Sequence, residues 1–306
     1  MSHHPPFKQV EQTRPDFNSG HVLRFTKTVQ PDWQVGQGLN NAPLPHAKIY
    51  HSPGPTKTFI PYQDISPPEM YKLMISSVVS EALLVIAWLS SSASSMPTDT
   101  RYSWRCCQVP RPIGFCSTLS ADGRPNLAPF SYFNAAGSNP PCVMMSCTTN
   151  STSVDKDTAA NIRNTKQFVI AIISESFIEA ANYTSINTPP DVSEWTLSGL
   201  TPGPSVKVRP ARVQEAAVNM ECELDPTKLT QVIVIGNIKA WHVKSDVLVD
   251  GSSAPMVDLE KLMPISRLGG ISYARVLERF ELPRPVWEEE KEKDQVKKVL
   301  SNQKDK

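Results

Sequence analysis

The residues best suited to chemistry in this 306-residue chain gather in the stretch TTNSTSVDKDTAAN, from Thr148 to Asn161. Thr148, Thr149, Ser151 and Thr158 offer hydroxyls, and Lys156 adds a full positive charge. The polar run leads into a short amphipathic helix expected over about 158–164. A helix start presents N–H groups and the positive end of the helix dipole, so hydroxyls and a lysine placed there suit a phosphate. The same residue types also describe an ordinary capped helix. Other chemistry is not spelled out by spacing: there is no Gly-x-Ser-x-Gly, no His-Glu-x-x-His and no P-loop. Gly36-Gln-Gly-Leu-Asn-Asn lacks the third glycine and the preceding strand of a dinucleotide loop. The histidines before residue 55 lack ligand spacing. The six cysteines fit neither a disulfide framework nor a zinc site. No metal is expected, and no residue stands out as a proton-shuttling catalyst.

The elements that must position this stretch lie on either side of it. Pro112–Leu119 reads as a strand, Ala121-Asp122-Gly123 as a hairpin turn, Leu127–Asn134 as a second strand and Cys142–Cys147 as a third. Beyond the helix, Gln167–Ile173 is a β-branched strand and Glu175–Asn182 a short helix. A proline- and glycine-punctuated loop, Thr188–Pro204, carries Trp195, either as a stacking ring or as the loop's own anchor. Val213–Leu224 and Leu229–His242 alternate as two long antiparallel strands with Pro226 in their turn. Pro264–Val276 contains RLGGISY, in which Arg267 and Tyr273 face either a pocket or a neighbouring subunit. The 28 prolines against 13 glycines imply rigid loops and favour a β-rich fold. Cys116, Cys142, Cys147 and Cys222 sit in apolar runs and read as buried small hydrophobes.

The segments RPIGFCSTLSADGRPNLAPFSYFN and KDTAANI resemble the flavin reductase-like, FMN-binding split-barrel family that includes flavoredoxin. VSEW, GLTP, PARV, ECEL and RLGGISYARV follow in the family's order, so the similarity spans most of Pro110–Pro285. The resemblance implies a mainly β fold, a Greek-key split barrel with a few helices and an extended N-terminal arm. It implies FMN as cofactor, NAD(P)H as electron donor, a homodimer with the flavin near the interface, and an NAD(P)H-dependent flavin reductase. Its alternatives are an FMN-binding electron carrier without nicotinamide turnover, or a non-functional product of intron retention. For the flavin ring it points to Pro112, Ser117, Thr118, Asn126, Ala128, Pro129, Ser131, Tyr132, Phe133 and Asn134. For the phosphate it points to Thr148, Thr149, Ser151, Lys156 and Thr158, with Arg111, Asp157 and Asn161 completing the cofactor-binding set.

Three further segments complete the reading. Residues 1–60 are an N-terminal arm, 61–285 the barrel domain and 286–306 a charged tail with acidic and basic residues in balance. Within the domain, 79–108 is anomalous. Deleting it restores the approach EMYKLMISSV-VPRPIG, and the codons allowed at its ends match splice signals, so a retained in-frame intron is expected. A family-specific insertion and a membrane anchor are the alternatives. The apolar run Leu73–Leu89 is marginal as a membrane span because Glu81 lies inside it. A formal charge of +1 argues against nucleic acid or an anionic membrane as partner. Without a basic n-region and apolar core at Met1-Ser-His-His-Pro-Pro, a cytoplasmic, reducing location is expected.

Overall fold

The computed structural model describes residues 12–15, 26–78, 110–147, 156–189, 191–225, 233–268, 271–276, 285–297 and 300. The anomalous stretch 79–108 lies outside them, as do Thr148, Thr149, Ser151, Pro226, Gly269 and Gly270. Residues 27–276 form one unit; 1–26 and 277–306 form a second. Among the described residues of the second unit, Trp287–Glu290 forms a single turn of helix.

The apolar, β-rich runs of the first unit fold into one antiparallel sheet. Its strands are β1 (Thr56–Phe59), β2 (Gly114–Leu119), β3 (Pro125–Phe130), β4 (Phe133–Ser138), β5 (Pro141–Ser146), β6 (Gln167–Ile172), β9 (Val218–Leu224) and β10 (Ile233–Lys244). They lie in the order β3-β2-β6-β9-β10-β5-β4. Strand β10 is long enough to serve two neighbours on one edge, β5 along Ile233–Asn237 and β1 along Trp241–Lys244. Two small ribbons, β7 (Pro202–Gly203) with β8 (Arg212–Val213) and β11 (Ile265–Arg267) with β12 (Tyr273–Arg275), complete the β structure. The protein is mainly β, a curled half-barrel.

The helices are short. They are α1 (Ala47–His51), α2 (Pro67–Ser77), α3 (Asp157–Thr165), α4 (Ile178–Tyr183), α5 (Glu194–Ser198) and α6 (Leu259–Leu262). Helix α2 starts as its sequence dictates: Ser66 and Glu69 form a capping box, with prolines in the first turn. It buries Met70, Leu73 and Met74 against the sheet.

Two expectations for the strands need correction. Leu127–Asn134 is not one strand: β3 ends at Phe130 and β4 begins at Phe133, at the opposite edge of the sheet. Val213–Leu224 is likewise divided, because Asn219 turns its side chain back to bond the N–H and C=O of Val213 (3.0 and 3.1 Å) and folds the intervening residues into a turn.

Phe115, Phe168, Phe177, Met145 and Trp241 fill the barrel and are almost fully buried. Gly236 makes room for one of them: a Cβ there would stand 2.2 Å from the Phe168 ring. Cys116, Cys142, Cys147 and Cys222 are buried in the same core. Burial raises the Cys116 and Cys222 thiols well above their ordinary pKa, which keeps them protonated and unreactive.

Residues 27–55 run over this unit as a strap. Gly36 and Gly38 donate to the carbonyls of Leu197 and Ser198 (2.7 and 2.9 Å), and Asn40 donates to the Ser176 carbonyl (2.8 Å). The approach requires Gly199, which sits at φ 72° with Gly36 and Gly38 against the place a Cβ would occupy.

One buried pair ties three elements together. Glu221 on β9 bonds His242 on β10 (2.5 Å), and both side chains are excluded from solvent. Glu221 also accepts from the amides of Val206 (2.8 Å), Lys207 (2.5 Å) and Val208 (3.1 Å), while His242 Nδ1 meets Thr58 Oγ1 on β1 (3.0 Å). Burial pushes the Glu221 carboxyl up, but the His242 and amide hydrogen bonds outweigh it and hold it below the ordinary value. A depressed native value makes the charged form the one that folding favours. This contribution is therefore complete above the unfolded carboxyl range, about pH 4.3, and is lost as pH falls through the lower native value. Glu221→Ala, which strands His242 and three amides, is expected to lower stability by about 3–5 kcal/mol in urea unfolding at neutral pH. The difference from wild type should shrink as the same titration is repeated toward acid.

Candidate functional site

The site is built on the β2–β3 hairpin. Asp122 and Gly123 turn it, with Gly123 at φ 87°, and the Ser120 hydroxyl accepts from the Arg124 amide (2.8 Å). The pairing then sets Thr118 opposite Asn126 and Cys116 opposite Ala128, so each pair shares a face of the ribbon.

Helix α3 packs its first turn on the hairpin through a polar network. The Asn126 amide donates to Thr158 Oγ1 (2.9 Å) and Thr118 Oγ1 (3.3 Å), and Asn161 donates to the same Thr118 hydroxyl (3.0 Å). Thr118, Thr158 and Asn161 are buried. Lys156, at the N-cap, and Asp157 are exposed. The structure thus brings together six of the residues expected at the cofactor. Four, Thr118, Asn126, Thr158 and Asn161, are committed to holding the helix on the hairpin, and Lys156 and Asp157 are left at the rim.

The remaining candidates are spread over the hairpin and β4. Pro112 and Ser117 are buried, whereas Ala128 and Pro129 on β3, Ser131 in the link and Asn134 on β4 are partly exposed. Phe133 is buried, its ring against the place a Cβ of Gly114 would take. Trp195 is buried within α5, which makes it the anchor of its loop.

At the open end a cleft of about 250 Å³ is lined by Ile113, Pro129, Ser131, Arg111, Arg267 and Tyr273, with Tyr132 and Ser185 at its edge. Arg111 and Arg267 form an isolated antiparallel bridge. The Arg111 guanidinium donates to the Leu268 carbonyl (2.9 Å) and lies 5.7 Å from the Tyr132 ring centre. Arg267 lies 4.4 Å over the Tyr273 ring, whose hydroxyl donates to Asn182 Oδ1 (2.7 Å). Burial raises the Tyr273 phenol above its ordinary value and outweighs the neighbouring Arg267 charge. Tyr132 falls within the Ser131–Asn134 stretch expected near the flavin ring, but an aromatic residue between two β-rich runs carries no sign that the chain changes strand there.

A curled antiparallel half-barrel with a helix start docked on an apolar hairpin defines the class: an FMN-binding type of split barrel. The chain belongs to the flavin reductase like domain family, whose match covers residues 105–260. Nitrilotriacetate monooxygenase component B from Bacillus cereus is 34% identical, with a TM-score of 0.56 over 65% of this chain and 100% of that one. The 2-nitrobenzoate 2-nitroreductase NbaA of Pseudomonas fluorescens is 27% identical, with a TM-score of 0.55 over 65% of this chain and 97% of that one. An uncharacterized protein of Aquifex aeolicus is 39% identical over 171 residues, 55% of this chain and 85% of its own length.

The Thr118 hydroxyl accepts from two buried or half-buried amides. Thr118→Val keeps the shape but leaves the Asn161 amide without its acceptor, and is expected to cost about 1–3 kcal/mol in chemical denaturation. Hydrogen exchange should show that protection is lost first in α3.

Proposed function

We propose that the protein is an FMN-dependent oxidoreductase, a flavin reductase using NADH or NADPH, and that it works as a homodimer in the cytoplasm. The observation that carries this reading is the helix start docked on the hairpin within a chain of the flavin reductase like domain family. The donor set fits the cofactor. Lys156 and the first turn of α3 offer a cation and a helix dipole to a phosphate, and Thr148, Thr149 and Ser151, just before it in sequence, are the further hydroxyls proposed for it. Ala128, Pro129, Ser131 and Asn134 offer an apolar surface edged with polar atoms to a flat ring. Bound FMN supplies the hydride and electron chemistry, while the chain's own residues bind it, orient it and limit its exposure to water. The names of the two solved relatives, a monooxygenase component and a nitroreductase, support an oxidoreductase.

The test is a visible spectrum of the purified full chain, followed by anaerobic addition of NADH or NADPH. A bound flavin band that bleaches supports the reductase. A bound band that does not bleach makes the protein an electron carrier without nicotinamide turnover, and absence of flavin binding overturns the reading. Lys156→Ala is expected to weaken FMN binding about tenfold, the loss of one charge-assisted contact.

A second reading concerns residues 79–108. Helix α2 ends on buried Val78, and the chain is anchored again at Arg111 by its bridge to Arg267. The stretch thus lies between two elements of one unit, and its sequence is the ground for reading it as a retained intron. A chain lacking 79–108 is expected to be more soluble than the full chain and to bind FMN at least as tightly. Equal solubility and flavin content in both forms would remove the functional support for that reading.

A further inference from the structure

Thr58 on β1 and His242 on β10 stand directly opposite each other. The Ser245 amide donates to the Pro55 carbonyl (2.7 Å), and the Lys244 amide points away from β1 to the Ala217 carbonyl (2.8 Å). These two bonds fix the ladder, and they make Thr58 and His242 a pair without mutual backbone hydrogen bonds. In such a pair the side chains approach most closely and the two N–H groups point away from each other. The Thr58 hydroxyl accordingly meets His242 Nδ1 (3.0 Å), while its own N–H points out of the edge of the strand. Among the described residues β1 pairs with β10 alone, so that edge is open.

The imidazole is held from behind. Glu221 bonds its Nε2 (2.5 Å), and the His242 and Glu221 side chains are 1% and 0% exposed. A carboxylate only accepts, so Nε2 carries its hydrogen toward Glu221, and in the neutral ring Nδ1 is left to accept from the Thr58 hydroxyl. The amides of Val206, Lys207 and Val208 fix the carboxylate in turn. Hydroxyl, base and orienting acid thus follow one another within hydrogen-bond reach, the arrangement that activates a weak nucleophile. Of the three side chains, only that of Thr58 belongs to an exposed residue. A tether alone would be served by any buried acceptor or donor. Here the third member is exposed and stands beside an outward N–H, a donor of the kind that stabilises a developing oxyanion.

We infer that Thr58 is a nucleophile that takes up an acyl group from an activated ester, with His242 as its base and Glu221 orienting that base. Thr58 Oγ1 bonds to the ester's carbonyl carbon as its proton passes to His242 Nδ1. The bond from that carbon to the leaving oxygen then breaks, and the proton on Nδ1 goes to the leaving alcohol. Glu221 balances the imidazolium in between. Because the imidazole is buried, water has little access to Nδ1 once Thr58 is acylated, so the acyl-threonine accumulates instead of turning over. The site shares no residue with the β2–β3 hairpin or α3, and the inference stands whether or not the chain binds FMN.

The experiment treats the full chain with p-nitrophenyl acetate, follows nitrophenolate release and locates the acetyl groups by peptide mass mapping. Wild type is expected to release a burst of about one nitrophenolate per chain and to carry the acetyl group on Thr58. Thr58→Val, at an exposed position, should fold as wild type does and lose both signals, whereas Thr58→Ser should keep both. Glu221→Gln should slow the burst by about a hundredfold or more, with the thermal midpoint of the same sample reporting that it is folded. If Glu221→Gln does not fold, the two Thr58 variants decide. The inference is overturned if acetyl groups appear on lysines or the N-terminus but not on Thr58, if Thr58→Val gives the same burst, or if folded Glu221→Gln acylates Thr58 at the wild-type rate.

Discussion

The constraint on which the rest of the fold depends is the two-residue link between β3 and β4. These strands are consecutive in the chain, joined only through Ser131 and Tyr132, yet they are the outermost strands of the main sheet path. Laid flat, seven strands would set those edges about 29 Å apart. A link of two residues spans only roughly 10 Å. The sheet therefore has to curl until its edges approach, and the buried aromatic and sulfur-containing side chains occupy the space it encloses. The same link delivers Ser131 and Tyr132 to the cleft at the open end of the hairpin. Closure of the barrel and formation of the site are one event.

Curling leaves loops and the N-terminal strap to be fixed on the outside, and the molecule does this with buried polar groups whose bonds are largely met. Glu221 gathers three backbone amides and His242, and so orders the 206–208 segment against β9. Asn219 does the same for β8, and Asn40 for the strap through the Glu175 carbonyl (2.7 Å) and Glu179 (3.0 Å). A buried carboxylate is tolerated only with such company, because an uncompensated charge would cost several kcal/mol. Specific polar contacts thus determine where the long connections lie over a core whose packing is non-directional.

Much of this was legible in the residues. Asp122-Gly123 between apolar runs signalled the hairpin, the β-branched run at Gln167 signalled β6, and Ser66 with Glu69 signalled the start of α2. What stayed hidden was set at long range. Ser131 and Tyr132 carry no glycine or proline, and both suit a strand locally, so only pairing with opposite edges of the sheet reveals the break. Thr118, Thr158 and Asn161 have the chemistry of ligand donors; their engagement with one another appears once register sets Thr118 opposite Asn126. Arg111 and Arg267 were each visible, one as a flavin-site candidate and the other as a residue facing a pocket. Their bridge depends on β11 returning beside the residues just ahead of β2.

That bridge is where local and global preferences part. Elsewhere propensity, burial and hydrogen bonding agree, as expected of a sequence that specifies one structure. At the bridge two like charges stand opposite each other, and stacking on Tyr132 and Tyr273 returns only about 0.5–1 kcal/mol per contact at such partly exposed positions. The side chains offset part of that repulsion within the fold, Arg111 by donating to the Leu268 carbonyl and Ser131, Arg267 by resting on the Tyr273 ring. The pair thus ties β11 and the link between β3 and β4 to the residues just ahead of β2.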